Sequence, residues 1–288
     1  RAPRHARRVH AAPAHLMSVH VRELSGDDFA AYQAAVCALE HGVTYPLGHD
    51  RFAIDHGSDY FAFFRRLGEL AYFVALDGER VVAVCAAVLR TLPRSPGATP
   101  EAVWYLGDLK VHPDYRTQRI PWRMFLHGFP AKYARCQRGY AISMNPVDGS
   151  PNPVVRLATH FHLAPASVAT TLGLYSLSAE AMREVAPLLE RERGPLGYLS
   201  LGGVKDIVLE STHAPMPLLH VQFGPARQQH GAVHGAPVAD HVHMFCLPAG
   251  DPLEDALRTR GITAGAAASV IHHRMAGWDW RFVLTSDI

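Results

Sequence analysis

No apolar run in this 288-residue chain approaches the ~20 residues that a membrane-spanning helix requires, so no membrane helix is expected. Cysteine is scarce. Cys37, Cys85, Cys136 and Cys246 are far apart and form no C-x-x-C pair, which reads as free buried thiols of a cytoplasmic protein rather than a disulfide framework. Charge imbalance is also missing. A net charge of +2 gives no electrostatic footprint for nucleic acid. What the chain does have is 48% hydrophobic and 19% charged residues, the balance of a folded protein, with length for one large or two smaller domains.

Residues 1–16 lack acidic side chains and the apolar segment of a secretory signal, yet carry four arginines. Met17 precedes strand-like SVHVREL, so 1–16 reads as a leader or added extension; an organellar transit peptide is the alternative. Usage rich in Ala, Arg, Pro and Gly leans toward a bacterial source.

Periodicity and turn residues predict the elements that follow. Val19–Leu24 reads as a strand, then a helix to Glu40 with Phe29, Tyr32, Val36 and Leu39 as its stripe. Residues 41–59 read as a loop, and Phe61–Leu70 as a short helix. Tyr72–Leu76 and Arg80–Leu89 form a hairpin about Asp77-Gly78. Val103–Val111 is a strand, Arg119–Arg138 a helix, Gly139–Met144 a strand, Asn152–Phe161 a short helix and Ser167–Leu177 a strand. Beyond it, Ala179–Arg193 is an amphipathic helix. Gly197–Leu209, Leu218–Phe223, His243–Leu247, Ala267–His273 and Trp280–Thr285 are strand-like. Residues 226–240 are a Gly/His/Gln-rich loop, and Leu253–Arg260 is a helix capped by Asp251.

The most informative stretch is Leu106–Phe125. It reads as an apolar strand, a turn at His112-Pro113-Asp114-Tyr115, and a helix start with Pro121 in its first turn, a suitable seat for a phosphate group. Asp108-Leu109, Val111, Pro113, Tyr115-Arg116 and Gln118 resemble, in order and spacing, the acyl-CoA motif of the Gcn5-related N-acetyltransferases (GNAT). Two glycines of that motif are replaced by Arg119 and Pro121. The order of elements over residues 17–178 is also that of the family. The resemblance implies an α/β (α+β) fold, a mixed central sheet flanked by helices. A second, smaller α+β unit at 179–288 follows it, read either as a degenerate copy of the first or as an unrelated unit, with no second copy of the motif.

The resemblance further implies an enzyme that uses acetyl-CoA as co-substrate and passes its acyl group to a small-molecule amine or amino acid by direct attack, without metal. Leu109 and Val111 would offer main-chain contacts to the acyl carbonyl, and Arg116, Gln118, Arg119 and Arg123 would meet the pyrophosphate. Asp108 is the candidate base. Asn152 begins the helix that in the family carries an acidic tyrosine; here only His160 or His162 could protonate the thiolate. His241 and His243, with His230 and His234 nearby, form the densest histidine group, read as a polar loop rather than a metal site. Two rival readings stay open: an N-acyl amino acid synthase fed by acyl carrier protein, and a non-catalytic acyl-CoA-binding or assembly protein. Homodimer formation is also open.

Overall fold

The computed structural model describes residues 19–41, 43–47, 50–224 and 234–288; residues 1–16 and His230 lie outside them. In chain order the strands are β1 (His20–Glu23), β2 (Tyr45–Leu47), β3 (Asp50–Asp55), β4 (Glu69–Asp77), β5 (Arg80–Pro93), β6 (Pro100–Val111) and β7 (Gly139–Met144). Then come β8 (Ser167–Leu177), β9 (Leu196–Leu199), β10 (Asp206–Leu209), β11 (Leu218–Phe223), β12 (Val242–Pro248) and β13 (Ala266–His273). The helices are α1 (Asp28–Glu40), α2 (Ala62–Leu67), α3 (Ile120–Arg135), α4 (Pro153–Thr159), α5 (Ala179–Arg193) and α6 (Pro252–Arg258).

Ten strands form one mixed sheet in the order β1-β4-β5-β6-β7-β13-β8-β12-β11-β9. Its centre is apolar on both sides: Ala71–Leu76 of β4 are buried without interruption, as a strand covered on two faces must be. One face carries α1 and α2, whose Val36, Phe63, Phe64 and Leu67 join Tyr72, Val74 and Val84. The other carries α3, which sets Ile120 and Met124 against Phe73, Ala75 and Trp104. Gly128 of α3 lies so close to the sheet that a Cβ there would stand 2.8 Å from the Phe73 ring.

The expected order of strand, helix, hairpin, strand, helix and strand is present, with three departures, one being that Gly197–Leu209, read as one strand-like run, is split into β9 of the large sheet and β10 of a small one. Residues 41–59, read as a loop, contain β2 and β3, which join β10 in a separate three-stranded sheet, β10-β3-β2. Trp280–Thr285, read as a strand, is a chain of tight 3₁₀ turns. Trp280, beside Tyr140, and Trp278 just before the segment both belong to the first core.

The sheet does not divide at residue 178. β13 lies between β7 and β8 and pairs antiparallel with both, Ala268 facing Met144 on one side and Leu172 on the other. A second core does exist, where Met182, Val185 and Leu189 of α5 meet Tyr198, Val221, Phe245 and Leu257. Residues 266–288 nevertheless return to the first: Arg90 on β5 is buried against Asp287 at 3.0 Å and donates to the Tyr140 hydroxyl at 2.7 Å.

Candidate active site

The site is made by an irregularity in β6. Opposite β5, Val84 faces Lys110 but Ala86 faces Gly107, so Asp108 and Leu109 together oppose Cys85 alone. This is a bulge, and it places Asp108 at φ +56°, a backbone region that asparagine and aspartate tolerate better than most residues. On its other edge β6 pairs in parallel with β7 only from Trp104–Gly139 to Leu106–Ala141. Beyond Leu106 the strands part, β7 continuing beside β13.

A cavity of about 920 Å³ passes through this fork. Leu109 lines it and Val111 does not. On the α1/α2 side its wall includes His56, Phe63, Phe64 and Tyr105, roofed by Phe52, Ile54 and Ile207 of the small sheet. On the α3 side it includes Trp122, Phe125, Phe129, Leu157 and Phe161.

The bulge aims Asp108 into a buried polar cluster. Its carboxylate accepts from the Tyr72 hydroxyl at 2.5 Å, from Lys110, and lies 3.0 Å from the Tyr60 hydroxyl. Glu40, at the end of α1, pairs with Lys110 at 2.5 Å and sits 2.9 Å from the same Tyr60 oxygen. Tyr60 has one proton for two carboxylates. Glu40 Oε1 has no hydrogen-bond partner among the described residues. Burial and the neighbouring carboxylates push the Tyr60 and Tyr72 hydroxyls far upward, so both stay protonated donors. Lys110 is raised, because Asp108 and Glu40 outweigh the penalty of burial. Burial and the Asp108 charge push the Cys85 thiol up to about 12, which leaves it inert.

Three further groups reach the cavity from segments that sequence patterns did not single out. His56 is lowered to about 4, chiefly by burial, and its Nδ1 has no partner among the described residues. His220 on β11, bonded through Nδ1 to the Thr285 hydroxyl at 3.0 Å, is lowered by burial to about 3. Lys205, just before β10, lies between the main cavity and a smaller one of about 170 Å³. Burial, then repulsion from Lys110, lowers it to about 7. Its ammonium nitrogen stands 4.1 Å from the Phe63 ring centre and donates to the Ile288 main-chain oxygen. The chain has three lysines, and all three line this cavity. Their rarity was a legible signal; their convergence was not.

The other predicted residues divide. Arg116, Gln118 and Arg119 are exposed together at the turn before α3. Arg119 sits at φ +55°, the conformation a glycine would supply, and makes no side-chain cap. The loop thus keeps a glycine-type backbone with arginine in place, and its basic groups are exposed, Arg116 donating to the Val111 main-chain oxygen at 3.4 Å. Arg123 departs from expectation: it is bound to the main-chain oxygen of Val19 and ties α3 to β1. Asn152 lines the cavity, but it caps α4 by accepting from Val154 and Val155 and donates to Ser143, Met144 and Asn145 at the end of β7. His160 and His162, in the segment just after α4, are exposed and do not line the cavity, whereas Phe161 between them is buried and does; neither histidine reaches the fork to act as acid. Among the described residues no group of three histidine, cysteine or carboxylate side chains could hold a metal. His243 is instead buried, accepting from the Val238 amide.

No family model matches the sequence. It is 19% identical over 240 residues to uncharacterized protein L340 of Acanthamoeba polyphaga mimivirus, covering 80% of this chain and 68% of that protein. Among solved structures it is similar to a tandem GNAT protein from the clavulanic acid biosynthesis pathway (12% identity, 91% of this chain, 100% of that one, TM-score 0.49). It is also similar to Saccharomyces cerevisiae N-myristoyltransferase with bound myristoyl-CoA (12%, 90% and 79%, 0.45) and to a GCN5-related N-acetyltransferase from Kribbella flavida (12%, 88% and 71%, 0.41). In its own order of strands and helices around the bulged motif strand, the chain has a mixed α+β fold, a large mixed sheet flanked by helices.

Proposed function

We propose that this chain transfers an acyl group from an acyl-CoA thioester to the amine of a small acceptor by direct attack at the fork. The observation that carries the reading is the cavity beside the bulge, lined by residues from both faces of the sheet, with room for a donor on the α3 side and an acceptor on the α1/α2 side. Holding two reactants in one channel supplies most of what such a transfer needs.

Each residue then has a part. Arg116, Gln118 and Arg119 face the nucleotide end of CoA, whose thioester supplies the activated acyl group. The main chain at Leu109, on the edge of β6 that β7 has left, is the donor to the acyl carbonyl. Asp108 and Glu40 place two carboxyl groups beside a single partnered lysine, a setting that draws in a cationic amine. Asp108 itself already receives Tyr72 and Lys110, so its part is to order the cluster. Lys205, near 7, has the neutral fraction that the proton of the attacking amine requires.

The test is turnover. The protein is incubated with acyl-CoA and a panel of amino acids and polyamines, with thiol release and N-acyl product mass recorded. N-acylated product at a rate dependent on both substrates is expected. Thioester hydrolysis alone, or binding without product across the panel, would favour the non-catalytic reading.

A further inference from the structure

The three-stranded sheet β10-β3-β2 has an apolar face with no core beneath it. Tyr45 lies opposite Phe52 across β2 and β3, and Ile54 lies opposite Ile207 across β3 and β10. Opposed residues share a face, as do residues two apart in one strand, so Leu47 belongs to the same row. All five line the cavity and are half-buried. The Tyr45 and Phe52 rings are stacked, centres 5.3 Å apart. Among the described residues, none of the five packs into the three hydrophobic cores. The cavity wall below this roof carries Phe63 and Phe64 of α2, both buried.

Charge on this side argues against a polycation. Among the described residues that line the cavity, Asp108 is the one carboxylate side chain, and Tyr72 and Lys110 already bond it. Lys110 and Lys205 line the same side. A second ammonium on the acceptor would therefore meet cations and no free carboxylate. Two histidines on this side accept rather than donate. His220 Nδ1 stands 3.0 Å from the Thr285 hydroxyl, whose own proton goes to the Met244 main-chain oxygen at 3.0 Å. Nδ1 thus carries the imidazole proton, and Nε2 the lone pair. His56 Nδ1 has no partner among the described residues, and the main chain of Val204 takes the hydrogen bond of the other ring nitrogen. Its Nδ1 is a lone pair too.

We infer that the space beneath the small sheet holds the body of the acceptor, an aromatic ring bearing a hydrogen-bond donor, on a molecule with a single amine. The inference rests on the acyl-transfer reading above and names its acceptor class. A planar ring packs by face and edge on Tyr45, Phe52, Phe63 and Phe64. A phenolic hydroxyl or an indole N–H supplies the proton that the imidazole lone pairs lack. The amine end lies at the bulge, where Asp108 and Leu109 line the cavity. The rival occupant is a long acyl chain passed through the fork, which would bury both lone pairs without a donor.

The experiment compares kcat/KM for propylamine, phenethylamine, tyramine and spermidine, each with acetyl-CoA and with octanoyl-CoA. The ring should raise kcat/KM about 10- to 100-fold over propylamine, the worth of burying one apolar side chain. The tyramine hydroxyl should add about two- to tenfold more. Spermidine should not exceed propylamine. Phe52→Ala should lower the ratio of phenethylamine to propylamine, and Ile54→Ala replaces it if thermal melting shows it unfolded. His56→Phe or His220→Phe should remove the tyramine gain. Equal values for propylamine and phenethylamine, or a preference for spermidine, would overturn the aromatic-acceptor inference and leave acyl transfer standing. So would a gain from octanoyl over acetyl that Phe52→Ala abolishes, with no gain from the ring, since it gives the space to the acyl chain. A ring gain that neither roof variant reduces would overturn the placement beneath the small sheet. Tyramine no better than phenethylamine would overturn the role of the lone pairs. No N-acyl product from any of the four amines would overturn acyl transfer and this inference together.

Discussion

Two side chains define the chemistry of the site, and each makes a separate prediction. Tyr72 gives one of the donors that hold the Asp108 carboxylate. Tyr72→Phe should lower unfolding free energy by about 1.5–3 kcal/mol, the range for a hydrogen bond to a charged group, read from urea denaturation. Unchanged stability would mean that the cluster does not need this donor. Lys205 is about 7 in the folded chain, against an ordinary value of 10.5. Between those values the unfolded chain binds the proton and the folded one does not, so stability rises as pH goes from 7 to 10.5. Lys205→Met should lack that rise and should be the more stable of the two below pH 7. Parallel pH–stability curves for the two proteins would contradict the shift. The clue to Asp108 was legible in the motif. Tyr60, Glu40 and Lys205 were not, because none shares a local pattern with it and they meet only across the folded chain.

At the scale of single elements, α3 carries two features that substitution can probe. Arg119 holds a left-handed backbone that ordinary residues adopt at a penalty of about 1–2 kcal/mol. Arg119→Gly should therefore stabilise the protein by about 1 kcal/mol, measured by thermal or urea melts, while weakening the hold on a pyrophosphate. The opposite sign would mean that the arginine side chain stabilises this turn by more than the strain. Gly128→Ala pushes a methyl to within 2.8 Å of Phe73 and should destabilise by about 1–3 kcal/mol through overpacking of α3 on the sheet. A neutral result would show that this helix can slide. The hairpin of β4 and β5, the motif strand β6 and the helices α4 to α6 were legible from turns, caps and periodicity; β8, α5 and β11 match their expected bounds. β2 and β3 were missed because they are short, Pro46 lies inside β2, and β3 is held by pairing with the distant β10.

For the whole molecule, the decisive feature is β13. Sequence punctuation suggests a break near residue 178, but the strand that completes the sheet between β7 and β8 comes from beyond residue 265. A protein cut to residues 17–178 leaves open one edge of β7, both edges of β8 and the β10-facing edge of β3, and exposes the first-core partners of Ala268, Val270, Trp278 and Trp280. It should therefore aggregate or remain unfolded, whereas adding residues 179–288 as a separate chain should recover soluble material. A well-dispersed amide spectrum from 17–178 alone would refute this.

What the amino-acid sequence by itself determined is local. Alternating and helical periodicities, Asp77-Gly78, the Asp251 cap and the Asp108–Gln118 motif act over a few residues, and local sterics and hydrogen bonding suffice to express them. Tertiary structure alone decided the rest. It parted β6 from β7 to open the fork, brought Lys205 and His220 from the second half of the chain to the cavity, and turned His160 and His162 outward. These are consequences of strand pairings and core contacts between residues far apart in sequence, and such pairings leave no periodic trace in either partner alone.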